Sequence, residues 1–233
     1  MDNAQENLDE PLHENTVLPL HHDNPSSTLH SFRKMTVKEV SKIISGSPPK
    51  SCSLDPIPTW LLKTNLDIFA PAITNIVNMS LEQGYFPATM KKALVSPLLK
   101  KPTLDKEILK NYRPVSNLSF VSKIIEKAAM SQVSDYSVFH GLLTTYQSAY
   151  RTKHSTETAL LRVHNDILTS LDAGKGVILC LLDLSAAFDT IDHDVFFQRL
   201  SSRMGVQGTV LDWFKSNLKD RYQSVHVRGA TSL

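Results

Sequence analysis

Residues 181–194 read LLDLSAAFDTIDHD, and they overlap an unbroken apolar run, VILCLL over 177–182, that ends on Asp183. Six successive apolar side chains without alternation are the pattern of a strand covered on both faces. A carboxylate left in such an interior costs on the order of several kcal/mol unless something compensates it. At the end of the strand it either reaches solvent or binds a divalent cation. Mg²⁺ takes hard oxygen ligands, usually one or two carboxylates together with substrate phosphates. Phosphoryl transfer uses two such ions about 3.5–4 Å apart to stabilise the attacking and leaving oxygens. A turn or helix cap would use an aspartate here equally well, so Asp183 alone decides nothing. Asp189, Asp192 and Asp194 follow closely. Asp192 stands just before a helical pattern and suits an N-cap, and Asp194 falls in the first turn, where acids face the positive end of the helix.

Upstream, HSTETALLRVHNDILTSLDAGKG carries Leu160, Val163, Ile167 and Leu171 at spacings of three and four, with Ser155 as N-cap and Gly174 as the stop. TVKE at 36–39 is a capping box. Met35 and Val40 can form its hydrophobic staple, and Val37, Val40, Ile43 and Ile44 share one face. Gly46 and Pro48-Pro49 end that helix. A helical stretch over about 59–82, interrupted near Pro71, carries Trp60, Leu61, Ile73, Ile76, Val77 and Leu81. ALVSPLL (93–99) and RPVSNL (113–118) read as short strands, and 120–133 as a helix with Val121, Ile124, Ile125 and Ala128 inward. Downstream, helices are expected over 193–203 and 209–218. RYQSVHVRGATSL reads as the start of a β-hairpin whose last strand lacks a partner. Helices first, then strands and helices mixed, suit an α+β or α/β domain with a sheet short of strands, and α+β is the expected class.

The net charge of +2 hides an uneven distribution. Residues 1–34 hold six acids against Arg33 and Lys34, show no apolar periodicity, and read as a disordered tail. Residues 91–123 hold eight bases against Asp105 and Glu107, a local +6. Such a stretch suits phosphate or nucleic acid, although a solvated surface also accounts for it. No run approaches the roughly 18 apolar residues of a membrane span, and the N-terminus has no signal-peptide pattern. Cys52 and Cys180 are expected as reduced thiols without a disulfide partner in an intracellular protein, Cys180 as a small core residue. The nine histidines lack metal-type spacing.

The string LLDLSAAFDTIDHD resembles the first metal-binding motif of reverse transcriptases encoded by non-LTR, LINE-like retrotransposons. SCSLDPIPTWLLK, ALVSPLLKKP, NYRPVSNLSFVSKIIEK, YQSAYRTKHSTETALLRVHNDIL and GTVLDWFKSNLKDRYQSVHV resemble further segments of that family, in its order, over about residues 30–233. The resemblance implies the fingers and palm portion of a right-hand polymerase fold, truncated before completion of the palm and before the thumb. Residues 1–34 would be a tail or linker, 35–90 a helical N-terminal extension, 91–175 fingers and 176–233 a partial palm. Asp183 would be a catalytic metal ligand, with the backbone carbonyl of Leu184 on the same ion. Phe188, five residues after Asp183, would gate the sugar of the incoming nucleotide; a core aromatic is the plainer reading. Lys100 and Arg113 would hold the triphosphate, with Lys101 competing for the first role. Lys101, Arg151 and Lys153 would touch nucleic acid, and His154 stands beside them; ordinary surface charge is the alternative for Arg151, Lys153 and His154. The implied cofactor is Mg²⁺, and the implied partners are RNA template, DNA primer and dNTP, with no membrane.

The family's Pro-Gln-Gly loop and its hairpin with paired aspartates do not occur in this sequence. After Asp194 the only acids are Asp212 and Asp220. The expectation is therefore a fragment of an RNA-directed DNA polymerase that is inactive alone. A non-catalytic RNA- or DNA-binding remnant and a non-functional retroelement-derived reading frame are the alternatives.

Overall fold

The computed structural model describes residues 27–184, 187–227 and 230–232. Helix α1 spans Val37–Ser45 and starts as the sequence predicts. The Thr36 hydroxyl accepts from the Glu39 N–H, and the Glu39 carboxylate accepts from the Thr36 N–H. Met35, Val40 and Ile44 are buried, whereas Val37 is exposed. Helices α2 (Thr59–Thr64) and α3 (Leu66–Gln83) divide at Asn65, and Pro71 lies inside α3. The break falls at Asn65 because both its backbone N–H and its side-chain amide donate to the Leu61 carbonyl, closing α2.

Strands β1 (Lys92–Leu99) and β2 (Tyr112–Asn117) form an antiparallel hairpin. Helix α4 runs Phe120–Phe139, six residues beyond the expected end, and Ser119 caps it by accepting from the Ser122 N–H. Helix α5 (Thr156–Asp172) has the predicted Ser155 cap, reinforced by Thr158, and ends before Gly174 at φ +72°. Helix α6 (His193–Ser202) is capped by Asp192, which accepts from the Asp194 and Val195 N–H groups. Helix α7 spans Gly208–Leu218, and β3 (Tyr222–Val227) and β4 (Ala230–Thr231) follow. The sheet order is β2-β1-β3-β4. Strand β3 has a partner on each side: it pairs in parallel with β1, Lys92 opposite Tyr222, and antiparallel with β4, which lies at the edge of the described sheet.

The main core is helical. Val40 and Ile44 of α1, Ile73, Val77 and Leu81 of α3, Ile124, Ile125 and Ala128 of α4, and Val210 and Trp213 of α7 meet around Phe86. Residues near the C-terminus thus share one core with the N-terminal helices. Residues 27–34, assigned to the tail on sequence grounds, are held against this body. Leu29 bridges Val206, with its N–H on the Gly205 carbonyl, and the Arg33 backbone exchanges two hydrogen bonds with the Gln132 amide. The remainder of the expected tail, 1–26, lies outside the described residues. The turn after α3 needs a glycine. Gly84 has φ +61°, and a Cβ there would stand 2.8 Å from the Thr209 carbonyl oxygen.

The cap of α1 carries a pH signature. The Arg33 guanidinium, 2.6 Å from Glu39, and then the Thr36 N–H and hydroxyl hold the Glu39 carboxyl down to about 2. A carboxyl whose folded pKa is depressed stabilises above its ordinary range and loses that contribution as pH falls toward the folded value. Urea midpoints should therefore fall between about pH 5 and pH 2, and the fall should be shallower in Glu39→Gln. The pair is substantially exposed, so the variant should cost only about 0.5–1 kcal/mol at neutral pH.

Candidate functional site

The β1–β2 hairpin displays the basic segment. Residues directly opposite across an antiparallel ladder share a face, and Leu98 is opposite Arg113. The ladder continues one bond further, from the Lys100 N–H to the Asn111 carbonyl at 2.8 Å. Strand alternation therefore puts Lys100 on the face of Leu98 and Arg113, diagonal to the latter. Lys100, Lys101 and Arg113 are exposed. The Lys100 ammonium donates to the Lys110 carbonyl at 2.7 Å, which bends it over the loop. That loop is stiffened from within: the Tyr112 hydroxyl donates to the Lys106 carbonyl, and the Asn111 amide to that of Asp105. The sequence thus builds a braced arm with a cationic face that presents both point charges and a planar guanidinium fork.

Arg151 has a different local role. Its guanidinium donates to the Thr144 and Gln147 carbonyls and holds the turn before α5. Lys153 is exposed at φ +64°, and His154 Nδ1 lies 3.0 Å from the Thr152 carbonyl. A neighbouring contact that sequence reasoning missed is Arg162, which donates to the Thr145 carbonyl and stacks over Tyr146 at 5.0 Å. Its signal was an arginine on the α5 surface seventeen residues after a threonine, which no local pattern flags.

The segment around Asp183 departs most from expectation. Residues 177–183 form no strand, and Ile178 and Leu182 are 97% and 90% exposed. Cys180, expected in the core, is exposed, and both cysteines are free. A strand covered on both faces needs pairing strands and layers over them, and 177–183 belongs to no strand of the described sheet β2-β1-β3-β4. Helix α5 shares this condition: none of its residues is buried, although Leu160, Leu161 and Leu171 lie on it. The apolar run 177–182 and the amphipathic helix α5, close in sequence, together expose more apolar side chain than scattered surface residues would.

Asp183, Leu184 and Phe188 are all exposed, Phe188 at 78%. No hydrogen bond or ion pair ties any of them to the β1–β2 hairpin among the described residues. Nor does any group of three or more His, Cys, Asp or Glu side chains there converge as metal ligands. The structure therefore puts Lys100 and Arg113 on one face, and among the described residues no hydrogen bond or ion pair links Asp183 or Phe188 to them. A single exposed carboxylate does not fit a two-ion site. Among the described residues no helix is long and apolar enough to cross a membrane.

A sequence profile of the family described as "Reverse transcriptase (RNA-dependent DNA polymerase)" matches residues 99–231. The chain is 27% identical over 203 residues to the probable RNA-directed DNA polymerase from transposon BS of Drosophila melanogaster, across 87% of this chain and 22% of that protein. It is 27% identical over 201 residues to the RNA-directed DNA polymerase from mobile element jockey of Drosophila funebris, across 85% and 21%. Against the probable RNA-directed DNA polymerase from transposon X-element of Drosophila melanogaster it is 28% identical over 160 residues, across 69% and 17%. The chain thus spans no more than 22% of the length of these relatives.

Proposed function

The chain belongs to the reverse transcriptase family, and from that premise we propose that it is the fingers and first palm portion of a non-LTR retrotransposon polymerase. Within it, 35–90 is a helical extension, 91–175 the fingers and 176–233 part of the palm. The observation that carries this reading is the braced β1–β2 hairpin, which puts Lys100 and Arg113 on one exposed face inside the matched segment. An ammonium and a guanidinium so placed neutralise the phosphates of an incoming dNTP. Lys101, with Lys153 and Arg151 before α5, meets the phosphates of an RNA template and DNA primer. Asp183 supplies one carboxylate toward Mg²⁺, the Leu184 carbonyl lies next to it in the chain, and Phe188 meets the sugar. The other acidic ligands of a two-ion set are not among the described neighbours of Asp183.

The same cations favour a second reading, a nucleic-acid-binding module without catalysis. Both readings require binding. Fluorescence anisotropy of a labelled RNA·DNA template-primer, titrated across salt concentrations, should give a log–log salt slope that falls by roughly 2–3 in the Lys100→Ala/Lys101→Ala/Arg113→Ala variant. Absence of binding by the native chain even at low salt would sink both.

A further inference from the structure

Lys91 is buried, 5% exposed, at the entry to β1. Its ammonium has three donors. One reaches the Lys219 carbonyl at 3.1 Å, and the Tyr85 ring centre lies 5.9 Å away. Among the described residues no carboxylate comes within ion-pair distance of it. Burying a cation with so little compensation is unfavourable.

The parallel register puts a second cation beside it. Lys92 is opposite Tyr222, so Lys91 and Arg221 precede matched positions on adjacent strands. Arg221 spends Nε on the Asn217 carbonyl and Nη2 on Glu126 and Asn217, which leaves Nη1 outside those bonds. Two cations and one carboxylate leave the group at net +1. Both cations line a cavity of about 190 Å³ together with Ser116, Tyr222 and Gln223. That volume is below the roughly 300–1,000 Å³ of pockets for drug-sized ligands, so a small ion suits it better than a nucleoside. Ser116 and Gln223 add neutral polar groups to the lining.

We propose that this cavity between β1, β2 and β3 is an oxyanion site that takes a phosphate group, with Lys91 and Arg221 as its charged donors. Free inorganic phosphate and a nucleic-acid phosphodiester share that chemistry. The full chain should melt at least about 3 °C higher in saturating phosphate than in chloride of matched ionic strength and pH. Lys91→Met keeps the apolar stem and removes the charge, so it should abolish the phosphate-dependent rise, whatever its own melting temperature. Gln223→Glu, at an exposed position on the rim, should abolish it too by putting a carboxylate where the anion sits, and it reads out the site if Lys91→Met does not fold. A short single-stranded DNA that reproduces the rise in the native chain but not in Gln223→Glu would identify a phosphodiester as the ligand; a rise with inorganic phosphate alone would identify the free ion. No phosphate-specific rise in the native chain, or an equal rise in both variants, would overturn the proposal.

Discussion

Truncating Trp213 to alanine is expected to cost about 3–5 kcal/mol of stability and to lower the melting temperature by roughly 6–20 °C at this chain length. Trp213 is 1% exposed and sits where α7 meets α3. Its indole meets the rings of Phe32, Phe86 and Phe214 in edge-on geometry, at centroid distances of 6.0, 5.6 and 5.4 Å. These contacts join three separated stretches of chain: the segment before α1, the turn after α3, and α7 itself. The indole N–H donates to the Ser80 hydroxyl at 3.0 Å, and that hydroxyl in turn donates to the Tyr85 carbonyl. Ser80 keeps a partner after the truncation, so the loss comes chiefly from the cavity and the lost ring contacts. Trp213→Phe should cost distinctly less. Urea and thermal unfolding followed by circular dichroism will check both variants; a Trp213→Ala cost below about 1 kcal/mol would show that the α3–α7 junction does not carry the core. A cooperative transition in the native chain would also count against a reading frame that does not fold.

Local signals were the most legible in the sequence. The Thr36–Glu39 box, the Ser155 and Asp192 caps and the β1–β2 hairpin each depend on residues close together in the chain, and each is present. What was not legible depends on distant partners. Nothing near Tyr222 announces that β3 will lie parallel to β1, some 130 positions earlier. Nothing within 27–34 announces Gln132 or Val206 as partners. Apolar content alone also misjudged 177–183. Hydrophobicity says that a segment can be buried, but burial of a strand on both faces needs flanking strands and covering layers, and 177–183 belongs to no strand of the described sheet. Cys180 and Phe188 follow that segment into solvent. The basic excess of the hairpin was legible as charge, whereas the face shared by Lys100 and Arg113 follows from the strand register, through which alternation converts spacing into a face.

The exposed run and the uncovered α5 have one physical consequence for the candidate site. Asp183 is held by no hydrogen bond or ion pair among the described residues, so nothing there fixes its carboxylate relative to Lys100 and Arg113. Electrostatic stabilisation of phosphoryl transfer depends on groups preorganised where charge develops. One unfixed carboxylate cannot hold two Mg²⁺ ions about 3.5–4 Å apart against their hydration. A deficit of at least about 10³-fold in rate, relative to a complete site, is the expected size of that loss. The proposed binding of template-primer would not share the deficit, because the hairpin cations act without the metal.

Primer extension on the purified 233-residue chain, with an RNA template, a DNA primer, dNTPs and either Mg²⁺ or Mn²⁺, measures this separation directly. The predicted result is a template-primer complex, seen in the same tube by anisotropy, with no template-directed product. Extended product that requires dNTPs and disappears in Asp183→Ala would contradict it.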